Sequence, residues 1–168
     1  EMCIRDRSLR ISYMVLPLHL LKKYQESCSF YSTTVSKIQQ EVLREFIRGG
    51  YFGRHLNKMR GIYKNKHDFL VGESKKKNWV ENIAGDNAGL HVLVQVNTTL
   101  TEEEICKKAA ECGIRLMGIR EHYIHTPPEG RPVLLLGYGK PDEQEIQKGL
   151  EVLESIITGR NSNNCKKP

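Results

Sequence analysis

No apolar run in this 168-residue sequence reaches the roughly 18 residues that a membrane-spanning helix needs. Five of the first ten residues are charged, so no secretory signal peptide is evident either. Cysteine is sparse: Cys3, Cys28, Cys106, Cys112 and Cys165 are odd in number, and no two have Cys-x-x-Cys spacing. That argues against a disulfide scaffold or a zinc ribbon and for a reducing, cytoplasmic setting. Also missing are a Walker-type phosphate loop, a Gly-x-Gly-x-x-Gly turn and any Ser/His/Asp grouping in a recognisable order. His122 and His125 come closest to a metal pair, but no carboxylate or thiol stands at matched spacing, so a plain surface reading is favoured. Cys106 and Cys112 lie too far apart around one predicted helix to chelate an ion and read as core cysteines. The chain thus carries no self-contained active site, and neither a catalytic residue nor a metal ligand is assigned.

What is present is the composition of an ordinary domain. The length suits one unit of about 100–200 residues. Hydrophobic residues are 39% and charged residues 27%, as in a soluble globular protein. The net charge is +6, and its excess is local. Between Tyr51 and Lys77 stand Arg54, Lys58, Arg60, Lys64, Lys66, Lys75, Lys76 and Lys77 against Asp68 and Glu73, which accounts for the whole of it. Such a stretch can serve nucleic acid, but the plainer reading is the wet face of a helix.

The hydrophobic pattern predicts a buried strand over residues 11–16, stopped by Pro17, then one or two helical turns over 18–24. Residues 27–36 read as a loop ending in an N-cap near Thr33 or Thr34. Val35, Ile38, Val42, Leu43, Phe46 and Ile47 form a helical stripe that Gly49 and Gly50 end. A second helix runs from Tyr51 to about Gly72, with Phe52, Leu56, Met59, Tyr63 and Leu70 on one face. Beyond it come strands over 79–84 and 90–96, around turn residues Gly85, Asp86 and Asn87. Thr101 with Glu104 makes a capping box, opening a helix through Cys112 that Gly113 ends. Strands over 114–119 and 133–138 flank a loop over 122–130. Pro141, Asp142 and Glu143 open a last helix with Ile146, Leu150, Leu153 and Ile157 on its stripe. The order β, β, α, β, β, α predicts an α/β sandwich, with helices on a small mixed sheet. Residues 159–168 read as a frayed tail.

Four segments in order, SLRISYMVLP, YSTTVSKIQQEVLREFIRGGYFGRHLNKMRGIYKNK, NAGLHVLVQV and GRPVLLLGY, resemble the C-terminal part of the MocR subfamily of GntR-type regulators. The resemblance covers roughly residues 8–158. It implies an α/β fold: the C-terminal part of a fold-type I, pyridoxal-phosphate-dependent transferase of the class I/II aminotransferase kind. Residues 8–50 would end the large, cofactor-binding domain, 51–75 would be a long linking helix, and 76–158 the small domain. Residues 1–7, EMCIRDR, match nothing in the family and read as non-native sequence on a truncated chain. The resemblance makes Arg10 a holder of the cofactor phosphate, a role suited to a planar, permanently charged fork. The Schiff-base lysine would stand seven residues earlier, where this chain has Cys3. The chain alone is therefore expected to be inactive.

The usual aminotransferase arginine for a substrate carboxylate aligns with Leu135. A Gly-x-x-Arg arginine serves instead in some MocR-type proteins. Here Arg120 falls one residue early and Glu121 takes its place, so Arg120 is the candidate for an effector carboxylate, set against a plain Arg120–Glu121 surface pair. Arg131, before Pro132 at a strand entrance, is a weaker candidate. The resemblance implies an amino-acid or amine effector, DNA bound through a winged helix-turn-helix outside this chain, a homodimer and no membrane. Two other readings stand beside it: part of a stand-alone aminotransferase, or a small basic α/β module that binds nucleic acid without a cofactor.

Overall fold

The computed structural model describes residues 2–3, 11–28, 30, 35–85, 89–125 and 130–159. Contacts divide the chain into Glu1–Leu56 and Asn57–Pro168, a boundary that falls inside one continuous helix.

In the first unit, β1 (Met2–Cys3) pairs antiparallel with β2 (Ser12–Tyr13). The buried strand expected over 11–16 is thus only two residues long. Ile11 is buried, but Met14 and Val15 are 61% and 81% exposed, because no described residue covers them. Pro17 then starts α1 (Leu18–Cys28): its carbonyl accepts the N–H groups of Leu20 and Leu21. This helix is longer than the expected turn or two and takes in Ser27 and Cys28 from the expected loop.

The N-cap of α2 (Lys37–Arg48) is Ser36. Its hydroxyl accepts the Gln39 N–H, and the Gln39 side chain accepts the Ser36 N–H. That reciprocal box needs a Gln or Glu at the third helical position, which Ser36 has, so the cap falls later than the expected Thr33 or Thr34. Those two residues lie outside the described ones. Gly50 at φ 71° ends the helix where a side chain would be strained, and α3 (Tyr51–Lys75) starts at once. Phe46 stacks on Tyr51 and meets Phe52 edge-on across this junction.

The second unit holds a four-stranded sheet of β3 (Val80–Ala84), β4 (His91–Val96), β5 (Met117–Gly118) and β6 (Val133–Gly137), ordered β3-β4-β6-β5. Every neighbouring pair is antiparallel, which corrects the expected mixed sheet. The helix α4 (Glu102–Glu111) does carry the chain from β4 to a strand running the same way, but β6 lies between the two. The expected strand over 114–119 shrinks to Met117–Gly118, and Arg120–His122 forms a 3₁₀ turn.

Alternation in β4 and β6 sends Val92, Val94, Val96, Leu134 and Leu136 to one face, where they are buried. There they join Leu70 and Val71 of α3, Ile105 of α4, and Ile146, Leu150 and Leu153 of α5 (Glu143–Thr158) in one core. A bulge at Glu81 lets both Val80 and Ile83 pack on that core, although they are three residues apart. Tyr138 closes the sheet's end: it is buried, its hydroxyl donates to the Gly89 carbonyl (2.8 Å), and His67 meets its ring edge-on. The helix α4 is capped as its sequence predicts, and α5, opening where expected, is capped in the same way. Thr101 and Glu104 form the box of α4, Asp142 and Glu145 that of α5. Gly113, at φ 78°, closes α4: its N–H donates to Ala110 and that of Ile114 to Ala109, a Schellman pairing. Cys112 at that end is disulfide-bonded rather than a free core thiol, whereas Cys28 and Cys106 are free.

Candidate functional site

A cleft of about 720 Å³ opens at the N-terminal end of α4, a size that suits a small molecule. Residues 98–103, Cys106, Gly118, Arg120, Glu121 and residues 130–132 line it. Both arginines singled out in the small domain, Arg120 and Arg131, therefore reach the same concavity.

The first turn of α4 carries Glu102, Glu103 and Glu104, where the helix dipole favours negative charge. Glu104 faces back to Thr101. Its carboxylate accepts the Thr101 N–H (2.8 Å) and hydroxyl (3.1 Å), which holds it below the usual carboxylate range, with Lys108 adding a smaller pull. Glu102 turns inward and is only 5% exposed. Its Oε2 accepts the Arg120 N–H and its Oε1 the Val133 N–H, each at 2.9 Å. Gly118 leaves the space this needs, since a β-carbon there would lie 2.9 Å from Glu102 Cβ and nearer still to the carboxylate. Sequence reasoning missed Glu102 because nothing local separates it from its two exposed neighbours.

Arg120 opens the 3₁₀ turn and its side chain is about half exposed. One Nη donates to the Gly130 carbonyl at 3.2 Å, and Nε stands 3.9 Å from Glu102 Oε1. Its ion-pair partner is thus Glu102 rather than the adjacent Glu121 of the plain surface reading. A guanidinium has five N–H donors, so these contacts leave it capacity for an anion. Arg131 is more committed: its Nη1 meets Glu81 Oε2 at 2.9 Å. Cys106 is a poor nucleophile here. Burial raises its thiol pKa first, and the negative charges of Glu121 and Glu102 raise it further. His122 and His125 are exposed, and among the described residues no group of three His, Cys, Asp or Glu side chains is set to hold a metal.

Leu135 stands on the sheet face away from the core, opposite Leu93 on one side and Met117 on the other. Arg10 lies outside the described residues. Position 3, where the resemblance puts a lysine, is Cys3, paired with Ser12 in the short β-ladder. The described residues therefore do not make a pyridoxal-phosphate site among themselves.

The basic residues of α3 are mostly solvated: Arg54, Lys58, Arg60 and Lys64 are exposed. Arg54 lies over the Tyr51 ring and donates to the Gly49 carbonyl. Lys77 is different, forming a part-buried ion pair with Glu154 of α5 at 2.7 Å.

No family model matches the chain. It is 37% identical over 150 residues to the uncharacterized HTH-type transcriptional regulator YdeL and 35% identical over 150 residues to YhdI, both of Bacillus subtilis (strain 168). It is 26% identical over 152 residues to the probable rhizopine catabolism regulatory protein MocR of Rhizobium meliloti. These matches take in 88%, 88% and 89% of this chain but 32%, 31% and 30% of those proteins. In fold it is similar to LysN, an α-aminoadipate aminotransferase from Thermus thermophilus solved with N-(5'-phosphopyridoxyl)-L-leucine (TM-score 0.72, 19% identity, 90% of this chain and 38% of that one). It is also similar to a multiple substrate aminotransferase from Thermococcus profundus (TM-score 0.70, 17% identity, 84% of this chain and 35% of that one). At such identities the likeness establishes the fold alone. Its sequence relatives are thus HTH-type transcriptional regulators and its structural neighbours aminotransferases, a pairing that matches a MocR-like aminotransferase-like domain, and the chain spans about a third of the length of the regulators it matches.

Proposed function

We propose that the chain is part of the effector-sensing domain of a MocR/GntR-type transcriptional regulator that binds pyridoxal 5'-phosphate and responds to an amino acid or amine. The observation that carries this reading is the pairing of two independent likenesses. Over 88% of its length the sequence matches HTH-type regulators, while the fold is that of aminotransferases. Pyridoxal phosphate, when bound, supplies an electron sink for chemistry at an amino group. Arg10 would hold its phosphate. Arg120 would receive a carboxylate of the effector, a reading supported by its half-exposed guanidinium in a cleft of ligand size. DNA would be bound by a winged helix-turn-helix elsewhere in the protein, which would act as a homodimer. A sensor needs differential binding between two states rather than turnover, so no complete transamination is required. The domain limits at residues 50/51 and 75/76 belong to the same proposal.

A stand-alone aminotransferase remains the second reading, favoured by the enzymes among the structural neighbours. Identity to the regulators is about twice that to the enzymes, which puts the regulator first. Expression of the whole reading frame tests both. The regulator reading expects retention of pyridoxal phosphate through dialysis, loss of that retention in Arg10→Gln, and an amino-acid-dependent change in DNA mobility shift. A protein that retains the cofactor, binds no DNA and converts an amino acid to its keto acid would establish the enzyme instead. Failure to retain the cofactor would overturn both.

A further inference from the structure

The segment from Arg120 to Val133 starts and ends on one carboxylate. Glu102 Oε2 accepts the N–H of Arg120 and Oε1 that of Val133, both at 2.9 Å. The Ile119 N–H donates to the Val133 carbonyl at 3.1 Å and closes the same junction. Hydrogen bonds to an ionised acceptor are about twice as strong as neutral ones, and this acceptor is nearly fully buried. Space for it is reserved by Gly118, where any β-carbon would collide with Glu102. Arg120 and Arg131, near the two ends of the segment, both line the cleft.

We infer that Glu102 is the positioning residue of this cleft: it sets where Arg120 and Arg131 stand, and so where an anionic group of a ligand is held. The inference rests on the reading of Arg120 as a carboxylate anchor. Glu102 lines the cleft, but its carboxylate acts through the two backbone amides that it accepts. Its charge works the other way, because at 3.9 Å from Arg120 Nε it competes with a ligand carboxylate for the same guanidinium. Removing the charge would therefore mix two opposed effects. Two variants keep it and disturb only the geometry. Glu102→Asp is one methylene too short to reach both amides, and Gly118→Ala pushes the carboxylate aside.

The test uses the ¹⁵N-labelled 168-residue chain, with acetate as the probe and circular dichroism to select folded variants. In the unsubstituted chain acetate shifts the Arg120 Nε–H resonance, and Arg120→Ala abolishes binding. In both geometric variants, amide exchange at Arg120 and Val133 speeds up at least about tenfold while that of β4 is unchanged, and acetate binds at least about fivefold more weakly. Unchanged exchange at those two amides in a folded variant overturns the inference. Faster exchange with undiminished acetate binding overturns it too, leaving Glu102 a structural residue only. If acetate never shifts Arg120 Nε–H, or Arg120→Ala binds it equally well, the anchor reading fails first and the ligand-directed role of Glu102 falls with it. The exchange data still separate that result from failure of the clamp.

Discussion

Glu102, Glu103 and Glu104 are three identical side chains in succession, and the fold gives them different work. Glu103 lines the cleft, Glu102 is buried on two amides, and Glu104 caps its own helix. The helical rotation of about 100° per residue separates them, so the first turn of α4 points one carboxylate inward and keeps two at the surface. Cys106, one turn later, sits among these charges. Its raised thiol pKa leaves little thiolate near neutrality, so alkylation by iodoacetamide is expected to be slower than that of a free cysteine at the same pH. Glu121→Gln removes one of the two opposing charges and should speed the reaction. An unchanged rate would mean that burial alone sets the reactivity.

At the level of single elements, the capping boxes carry the clearest sequence signals. Thr101 with Glu104 occupies the expected position, and Asp142 with Glu145 and Ser36 with Gln39 show that the same rule places the caps of α5 and α2. Thr101→Ala is expected to cost about 1 kcal/mol in urea denaturation. The linked pH dependence follows from the lowered carboxyl of Glu104. A group whose folded pKa lies below its unfolded one stabilises fully above the unfolded value and loses that contribution as pH falls through the folded value. Stability should thus decline in the acid range below the ordinary carboxylate pKa, and Glu104→Gln should flatten that part of the curve. A carbon-detected titration placing Glu104 at the ordinary value would contradict the hydrogen-bond account. The strand over 11–16 shows where local pattern misleads. Its apolar residues do read as a buried strand, but burial needs a neighbour, and among its described side chains only Ile11 is buried.

Taken whole, the chain joins a unit with a core to one in which, among the described residues, only Ile11 is buried. Among the described residues of α1 and α2 none is buried, and Leu18, Ile38 and Val42 are largely exposed. The second unit concentrates its apolar side chains in one cluster between sheet and helices, to which Leu70 and Val71 bring the last turns of α3. A chain truncated to residues 57–159 is therefore expected to fold cooperatively, with its slowest-exchanging amides in β4 and β6. Residues 18–56 should exchange orders of magnitude faster in the 168-residue chain. Equal protection in the two units, measured by hydrogen exchange, would show that the exposed apolar residues are covered in solution.

Local pattern was enough for the helices α2 to α5, the cap of α4 and the two central strands, because those depend on periodicity and on residues a few positions apart. The antiparallel order β3-β4-β6-β5, the bulge that aligns Val80 with Ile83, and the clamp of Glu102 on Arg120 and Val133 depend on residues far apart in sequence, as His91 and Gly137 are in the β4–β6 pairing. Such contacts exist only after α4 has crossed the sheet and β6 has slipped between β4 and β5. Arg120 could be singled out through the family resemblance, but the buried carboxylate that holds its backbone required the folded chain, since only there do Gly118 and Glu102 meet.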